Sequence, residues 1–292
     1  MRYVIITPAR NESDYIERTI KSVLSQKLCP EEWVIVDDGS TDYTQEIIKR
    51  YSEEYKWINL VKMDTRNETR LGGAKVVRAF NYGLKSLNTS DYDFLTKLDA
   101  DLELPSEYFL KISEEFQKIP KLGLCGGYCV NIKNNIQIRE KSANYHIRGA
   151  FKSYRKDCFE DIGGLMEVWA WDGIDELTAL YKGWQTKTLE IPVLHFRPTS
   201  SAYSPLKQEY LSGKEAYRIR SSFLLTLGRS VYKLKLKPYI LASLFFLWGY
   251  ITGYFVREVR YVDVKLGKFI NNFHTKRILF SLKTKIFPFL SI

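Results

Sequence analysis

The amino-acid sequence predicts an α/β fold in which a mostly parallel sheet carries helices on both faces. Short, continuous apolar runs recur along the first hundred residues, for example Tyr3–Thr7 and Trp33–Val36. Such runs are typical of strands that are buried on both sides. Between them, apolar residues recur at helical spacing. Strand and helix therefore alternate from the start of the chain, and this alternation indicates a parallel sheet.

The first two helices have predicted start signals. Ser13 precedes a run with apolar residues on one helical face, and serine is a favoured N-cap. The second helix is predicted over residues 44–55, with Asp42 and Gln45 three residues apart as a cap pair. The later elements are predicted in this order: strand Ile58–Val61, a helix opened by Gly72-Gly73, strand 92–98, helix 107–118, strands Leu122–Val130 and Ile136–Arg139, a polar stretch Gly149–Arg155, helix 174–182 and strand Glu190–Phe196.

The composition is that of an ordinary globular protein, with 45% apolar and 27% charged residues over 292 positions. Disorder and internal repeats are not expected. The four cysteines show no metal-binding spacing and no C-x-x-C pair, so we expect reduced thiols in a cytosolic interior. The apolar run at the start of the chain is too short for a signal peptide.

Two carboxylates, Asp99 and Asp101, follow the fourth predicted strand. In an extended backbone, residues two apart point to the same side, so the pair can hold one hard cation. By itself Asp-x-Asp is a common pattern. Two other polar loops, Pro8–Glu12 and Asp37–Asp42, follow the first and second strands. Because ligands bind beyond the carboxyl ends of parallel strands, we expect all three loops at one ligand-binding edge.

Several motifs in register resemble those of the family 2 glycosyltransferases. They are Val4–Glu12, Val36–Asp42, Leu98–Asp101, Arg148-Gly149-Ala150 followed by Gly163-Gly164, and Trp171–Glu176 before Gly183-Trp184. They cover about residues 2–200 in the family's order. The resemblance implies a GT-A fold, which has a Rossmann-like sheet, and an enzyme that uses a nucleotide-sugar donor such as a UDP- or GDP-sugar.

The resemblance also implies roles for individual residues on the donor side. The residues that would bind the nucleotide sugar are Pro8, Arg10, Glu12, Asp38, Lys75 and Asp99. Asp38 matches the acidic residue that recognises the base, although a turn and helix-cap residue is the alternative interpretation. For Lys75, an ordinary exposed helix charge is an equal alternative.

A divalent metal, Mn²⁺ or Mg²⁺, is the cofactor that the resemblance implies. Asp101 would bind it directly, with Asp99 on the metal or the ribose. His195, at the end of the last predicted strand, resembles a late histidine that completes the metal shell in several relatives. Imidazole suits manganese better than magnesium. A structural, hydrogen-bonded histidine is the alternative.

Asp172 matches the family's catalytic base. The family commonly has Glu-Asp at this position, whereas this chain has Trp171-Asp172. Asp175 and Glu176 lie one helical turn further on and are interpreted as positioning or structural residues. Gly149, Trp171 and Asp175 are placed on the acceptor side. A base that deprotonates the acceptor hydroxyl for direct attack predicts an inverting transfer.

The predicted domains are a GT-A domain over 1–205 and a helical region over 206–292. The first comprises a nucleotide-sugar-binding half, 1–104, and an acceptor half, 105–205. Residues 200–292 carry 16 Lys and Arg against 4 Asp and Glu, whereas residues 1–199 carry 28 against 30. The last third is therefore expected to meet an anionic surface.

Residues 238–256 are uncharged, with basic residues on both flanks. This pattern favours a helix or hairpin on the cytosolic leaflet, with a single span or a core helix as alternatives. We therefore predict peripheral or monotopic attachment to the cytoplasmic face of a membrane through residues 230–290. No nucleic-acid motif accompanies the basic residues, so nucleic acid is not a predicted partner.

The predicted function is transfer of a sugar from a nucleotide-sugar donor to a glycan or lipid-linked acceptor. Two alternatives remain from the sequence. A sugar nucleotidyltransferase shares the sheet topology and acidic ligands, but it usually has a glycine-rich loop where this chain has Pro8–Glu12. A non-catalytic, membrane-associated binding protein would have a decayed site, which the retained acidic residues argue against.

Overall fold

The computed structural model describes residues 1–63, 73–133, 136–143, 145–197, 204–235 and 237–286. The chain divides into two compact units, residues 1–199 and 200–292. The predicted opening glycine Gly72 lies outside the described residues, whereas Gly73 begins a helix.

In the described part of the chain, the first unit is built on one nine-stranded sheet. The strands are β1 (Tyr3–Ala9), β2 (Glu32–Asp37), β3 (Ile58–Lys62), β4 (Phe94–Leu98), β5 (Leu102–Glu103), β6 (Leu122–Lys133), β7 (Ile136–Arg139), β8 (Phe151–Arg155) and β9 (Gln185–His195). Their order is β3-β2-β1-β4-β8-β6-β9-β5, with β7 beside β6. The first four strands are parallel, as are β6 and β9, while β5, β7 and β8 pair antiparallel with their neighbours. The predicted mostly parallel α/β sheet is confirmed.

Helices cover the sheet of the first unit on both faces. They are α1 (Ile16–Leu24), α2 (Thr44–Glu54), α3 (Gly73–Lys85), α4 (Tyr108–Lys118), α5 (Lys156–Asp161) and α6 (Trp171–Tyr181). Two separate apolar cores result. Ile5 and Trp33 belong to the core that includes α1 and α4, whereas Val4 and Val34 belong to the core that includes α3. Alternate residues of one strand thus fill opposite cores, as the two-residue repeat of a strand requires.

The predicted helix starts were partly wrong. Tyr15, rather than Ser13, is the N-cap of α1, and it makes no side-chain cap bond. The Ser13 amide instead donates to Asp42 Oδ2 at 3.1 Å, and the Thr44 amide donates to Asp42 Oδ1 at 3.0 Å. Gln45 Nε2 donates to Asp37 Oδ2 at 3.2 Å. Asp42 therefore keeps a local partner in Thr44 and also ties the loop after β2 to the loop after β1 through Ser13.

The stretch Gly149–Arg155, which the sequence indicated only as polar, contains a buried strand. Lys152 and Ser153 of β8 have no exposed surface, and each pairs with a polar partner: Lys152 Nζ lies 3.0 Å from Asp175 Oδ2, and Ser153 Oγ lies 2.7 Å from Thr96 Oγ1. Buried polar groups persist where they have such partners. The last strand begins at Gln185, earlier than predicted, and α6 begins at Trp171.

The second unit consists of helices. They are α7 (Pro205–Arg218), α8 (Phe223–Lys233), α9 (Ile240–Phe255) and α10 (Val264–Ile286). Within the stretch 238–256, α9 has 16 residues, which is about 24 Å of helix. Across the part of the chain that the structure describes, no helix is long and apolar enough to cross a membrane.

Glycines let α7 and α9 approach each other closely. A Cβ atom at Gly213 would lie 1.9 Å from the carbonyl oxygen of Phe246, and one at Gly249 would lie 2.0 Å from that of Tyr210. Both positions therefore exclude any side chain unless the two helices move apart. By contrast, a Cβ at Gly228 of α8 would meet no atom within 4 Å.

We expect Gly249→Ala to destabilise the α7–α9 contact by about 1–3 kcal/mol, the usual cost of overpacking. Gly228→Ala is the matched control, which should be neutral or stabilising by about 0.5–1 kcal/mol because alanine favours a helix interior. Hydrogen exchange followed by mass spectrometry on peptides from α7 and α9 would measure the difference. Equal protection of these peptides in both variants would contradict the close packing.

Candidate active site

The loops after β1 and β2 meet at the predicted edge of the sheet. Ala9 is in register with Asp37, so Arg10 and Asp38 follow side by side. The Asp38 amide donates to the Ala9 carbonyl at 2.9 Å, and Arg10 Nη1 lies 3.6 Å from Asp38 Oδ2. Asp38 is buried, whereas the Arg10 side chain is partly exposed. The pair places a carboxylate and a guanidinium side by side in the loops that follow β1 and β2.

Asn11 holds these two loops together. It has φ of 55°, a conformation that asparagine tolerates better than most residues. Its amide donates to Ser40 Oγ at 3.0 Å, and its Oδ1 accepts from the Thr41 amide at 2.8 Å. No sequence pattern had indicated this role for Asn11.

The carboxylates after β4 are balanced by protein cations. Lys97 Nζ pairs with Asp99 Oδ1. Asp101 Oδ2 lies 3.4 Å from His195 Nε2 and 3.3 Å from Arg197 Nε. His195 reaches this place because β5 and β9 pair with Leu102 opposite His195. The structure thus brings Asp101 and His195 into contact, whereas Asp99, the third residue that the sequence predicted as a metal ligand, pairs with Lys97.

These close contacts shift the acid–base properties of the cluster. Burial raises the pKa of Asp99, Lys97 opposes this, and the charge of Asp101 adds to it. Burial alone would lower the pKa of His195, but its hydrogen bonds with Asp101 and Cys129 and the charges of Asp101 and Asp99 raise that pKa to about 10. His195 is therefore an imidazolium at neutral pH, paired with Asp101.

Glu12 joins the same cluster from the β1 side. Its carboxylate forms an ion pair with the Arg197 guanidinium, which also reaches Asp101 Oδ2. Arg197 therefore bridges the loop after β1 and the loop after β4. Sequence reasoning assigned no role to Arg197, because the segment after β9 meets these loops only in the folded chain.

No group of three or more His, Cys, Asp or Glu side chains is arranged to hold a metal ion within the described ranges. Asp101 and His195 approach each other, and Asp99 faces Lys97 instead. The chemistry of the donor set, two carboxylates and an imidazole, is nonetheless one that Mn²⁺ accepts. The four cysteines are unpaired, and Cys129 Sγ lies 3.9 Å from His195 Nδ1.

Gly149 and Trp171 shape the surroundings of Asp172. A Cβ atom at Gly149 would lie 2.8 Å from two carbons of the Trp171 ring and 2.9 Å from Asp172 Cβ. Only a glycine allows this approach without displacing Trp171 or Asp172. The Trp171 ring is buried and lies under two ammonium groups, with Lys97 Nζ 5.3 Å and Lys152 Nζ 5.6 Å from its centroid.

Asp172 itself lies in the first turn of α6 and is partly buried. Asp175 and Glu176 are buried below it and face the interior. Lys152 Nζ donates to the Asp172 carbonyl at 2.6 Å and to Asp175 Oδ2 at 3.0 Å. Asp175, which the sequence placed on the acceptor side, thus contacts Lys152 in the interior.

The two remaining predicted donor residues lie on regular elements. Pro8 is in β1 opposite Val36, and Lys75 is in the first turn of α3, partly buried. The contacts that sequence reasoning missed involve Lys97, Lys152 and His146. A lysine within an otherwise apolar strand is the one signal that could have indicated Lys97, since buried lysines are rare unless paired.

Comparison with known proteins gives one family and a consistent fold. Residues 4–170 match the model of Glycosyl transferase family 2. The poly-beta-1,6-N-acetyl-D-glucosamine synthase of Staphylococcus aureus is 28% identical over 235 residues, which are 72% of this chain and 51% of the relative. The chain therefore spans about half the length of this curated relative.

Two solved structures show the same fold. Staphylococcus aureus TarS in complex with UDP-GlcNAc superposes with a TM-score of 0.58 at 20% identity, covering 85% of this chain and 81% of that one. The mannosyltransferase PcManGT from Pyrobaculum calidifontis, in complex with GDP-Man and Mn²⁺, gives 0.53 at 16% identity, covering 95% and 80%. At these identities the likeness establishes the fold alone.

Proposed function

This chain belongs to glycosyl transferase family 2, and from that premise we propose that it transfers a sugar, with inversion, from a nucleotide-sugar donor to a glycan or lipid-linked acceptor. The observation that carries the proposal is the convergence at one sheet edge of the Arg10–Asp38 pair with Asp99 and Asp101. Arg10 Nη1 lies 3.6 Å from Asp38 Oδ2, and Asp101 Oδ2 lies 3.4 Å from His195 Nε2. Family membership favours sugar transfer over a nucleotidyltransferase or a non-catalytic binding protein.

The donor side would recognise a nucleoside diphosphate. Asp38 can accept hydrogen bonds from the base, and Arg10 can pair with a phosphate in the way that guanidinium groups do. Pro8, Glu12 and Lys75 would complete this side. UDP-GlcNAc and GDP-mannose are the first donors to test, because TarS was solved with UDP-GlcNAc and the mannosyltransferase with GDP-Man. The division into a donor half over 1–104 and an acceptor half over 105–205 stays a prediction.

Asp99, Asp101 and His195 are the residues that would hold a divalent cation. When bound, such a cation stabilises the charge that builds on the diphosphate as it leaves. His195 must lose its proton to bind a metal, and a neighbouring cation would favour that loss. Lys97 and Arg197, which now pair with Asp99 and Asp101, supply positive charge on the same side.

Asp172 would act as the base. It would accept the proton of the acceptor hydroxyl as that oxygen attacks the anomeric carbon from the face opposite the leaving diphosphate. The bond to the acceptor oxygen forms while the bond to the diphosphate oxygen breaks, and one direct displacement inverts the anomeric centre. Trp171 and Gly149 would shape the entry of the acceptor beside this carboxylate.

A binding and transfer panel tests this function directly. We expect UDP- or GDP-sugars with Mn²⁺ to raise the melting temperature of the full chain, because a ligand that binds only the folded state stabilises it. At a concentration 100 times Kd the stabilisation is about 2.7 kcal/mol. Release of UDP or GDP should then accompany transfer. No shift and no hydrolysis with any donor of the panel would contradict the proposal.

The second unit would attach the enzyme to the cytoplasmic face of a membrane. One face of α9 packs inward through Ala242, Phe246 and Gly249. The opposite face leaves large apolar side chains exposed, as does the outer face of α8. They are Leu241, Leu244, Trp248 and Phe255 of α9, and Phe223, Leu224 and Val231 of α8. Large apolar side chains exposed on two helices of one unit are typical of a binding surface.

The charges around this apolar surface favour an anionic bilayer as its occupant. Lys235 and Lys237 precede α9, and Arg257 follows it, all of them exposed. Basic groups at both ends of an apolar helix suit a helix that lies in the plane of the headgroups. Residues 230–290 would thus supply both the apolar and the electrostatic part of the attachment.

We expect the full chain to float with vesicles that contain anionic lipid and to lose this binding as salt rises. Trp248→Glu should weaken the binding about tenfold or more, since burial of a large apolar side chain contributes about 1.5–3 kcal/mol. Tyr43→Glu, at an exposed aromatic residue of the first unit, is the matched control. A chain that stays with the soluble fraction at low salt would overturn this part of the proposal.

A further inference from the structure

We propose that Lys152 is a positioning residue, which fixes the start of α6 and thereby the place of Asp172. This inference rests on the proposed function of Asp172 as the base. Lys152 lies on β8 and has no exposed surface. Its role is separate from binding either substrate, since its ammonium group faces α6 from below.

All the hydrogen-bond donors of the Lys152 ammonium group are directed at groups of α6. It donates to the Asp172 carbonyl oxygen at 2.6 Å and to Asp175 Oδ2 at 3.0 Å, and it lies 2.9 Å from Glu176 Oε1. An ammonium group has three protons, and these three partners account for all of them. The first turn of the helix is therefore anchored at a single point of the sheet.

The carboxylates of Asp175 and Glu176 also accept hydrogen bonds from groups outside α6. Tyr154 Oη donates to Asp175 Oδ2 at 2.5 Å, and the Ile147 amide donates to Glu176 Oε1 at 2.7 Å. His146 Nδ1 lies 2.9 Å from Glu176 Oε2. A buried charge network is stable only when each member has its partners. The Lys152 ammonium group therefore has one low-energy position, which is what a positioning role requires.

Opposite charges in the network shift one another's pKa values. Burial would lower the pKa of Lys152, but Asp175 and Glu176 raise it. Burial would also lower the pKa of His146, but its hydrogen bond with Glu176 and the charge of Glu176 raise that pKa.

Lys152 also connects the two sides of the candidate site. It is in register with Lys97 across the β4–β8 pair, and Lys97 pairs with Asp99 on the donor side. The Trp171 ring lies near both ammonium groups. One rung of the sheet thus sets the distance between the donor-side carboxylate and the helix that carries Asp172. A displacement of about 1 Å in such a distance lowers a rate about 100-fold.

The test compares Lys152→Met with Lys156→Met in the full chain. Lys156 Nζ donates to the Ser90 carbonyl at the surface, so the same change there is the matched control. We expect Lys152→Met to lower kcat about 10- to 100-fold, with donor KM and the Kd of the nucleoside diphosphate within about twofold of wild type. Lys156→Met should leave kcat, KM and Kd unchanged.

If Lys152→Met does not fold, Tyr154→Phe tests the positioning network instead. It removes only the hydroxyl that orients Asp175. We expect a loss in kcat of about threefold or more with unchanged nucleotide Kd, because a less firmly held Asp175 loosens the helix that carries Asp172. A folded Lys152→Met protein with wild-type kcat, or a Tyr154→Phe protein in which kcat is unchanged or falls together with nucleotide affinity, would overturn the inference. A wild-type chain that binds no nucleotide sugar would instead overturn the proposed function.

Discussion

Asp172→Asn is expected to lower kcat for sugar transfer by about 10²–10⁴-fold, the usual contribution of a positioned general base. The amide is almost isosteric with the carboxylate, so the contact of Asp172 Cβ with Gly149 and the bond from Lys152 to the Asp172 backbone carbonyl should survive. Because the donor side is left intact, donor KM and nucleotide Kd should change little. Steady-state kinetics with the best donor of the panel would measure both.

Asp161→Asn is the control for that substitution. Asp161 Oδ2 accepts from Trp184 Nε1 at 2.9 Å at the surface of the same unit, so the same chemical change is made away from the site. Its kcat should stay within about twofold of wild type, as for surface changes that shift stability by no more than about 0.5 kcal/mol. Near wild-type turnover in Asp172→Asn would show that another group takes the proton.

The second large effect is expected at Asp101. We expect removal of divalent metal with a chelator to abolish transfer, and Mn²⁺ to restore it in the wild type. Asp101→Asn should lower kcat about 10²-fold or more and raise the Mn²⁺ concentration needed for half-maximal rate, since a metal contributes several kcal/mol to charge stabilisation. The substitution also removes the negative partner of His195 and leaves Arg197 paired with Glu12 alone.

A titration of transfer rate against Mn²⁺ measures this effect, and Asp93→Asn serves as its control. Asp93 lies just before β4, at the end of that strand away from Asp99, where its Oδ2 accepts from the Arg2 amide at 2.7 Å. Its variant should keep the wild-type Mn²⁺ dependence. Transfer that persists after chelation in the wild type would contradict the metal role of Asp99, Asp101 and His195.

Much of the first unit could be predicted from the sequence because its signals are local. Strands buried on both faces have continuous apolar runs, and Tyr3–Ala9 and Phe94–Leu98 are buried as their runs predicted. The edge at which polar loops meet follows from parallel pairing alone. The family resemblance, carried by motifs between Val4 and Trp184, is confirmed by the match over residues 4–170.

The contacts around the site could not be predicted in the same way. β8 was missed because Lys152 made its segment polar in sequence, whereas Asp175 and Glu176 of a distant helix make that lysine suitable for burial. The Ser13 and Asp42 predictions failed for a related reason. The Ser13 amide pairs with Asp42 of the neighbouring loop, and the Gln45 side chain pairs with Asp37. A sequence pattern predicts which loops meet but does not specify which side chains pair there.

The sequence by itself determined the α/β sheet, the succession of its first strands and helices along the chain, the family and the acidic residues at the loop ends. Each of these depends on local periodicity or on motif spacing. Only the tertiary structure decided that Arg197 bridges Glu12 and Asp101, that Gly149 lies against Asp172, and that Lys152 anchors α6. The physical reason is that a charge in a folded protein is stabilised by its neighbours in space. Those neighbours lie as much as 185 positions away along the chain, as Glu12 and Arg197 do.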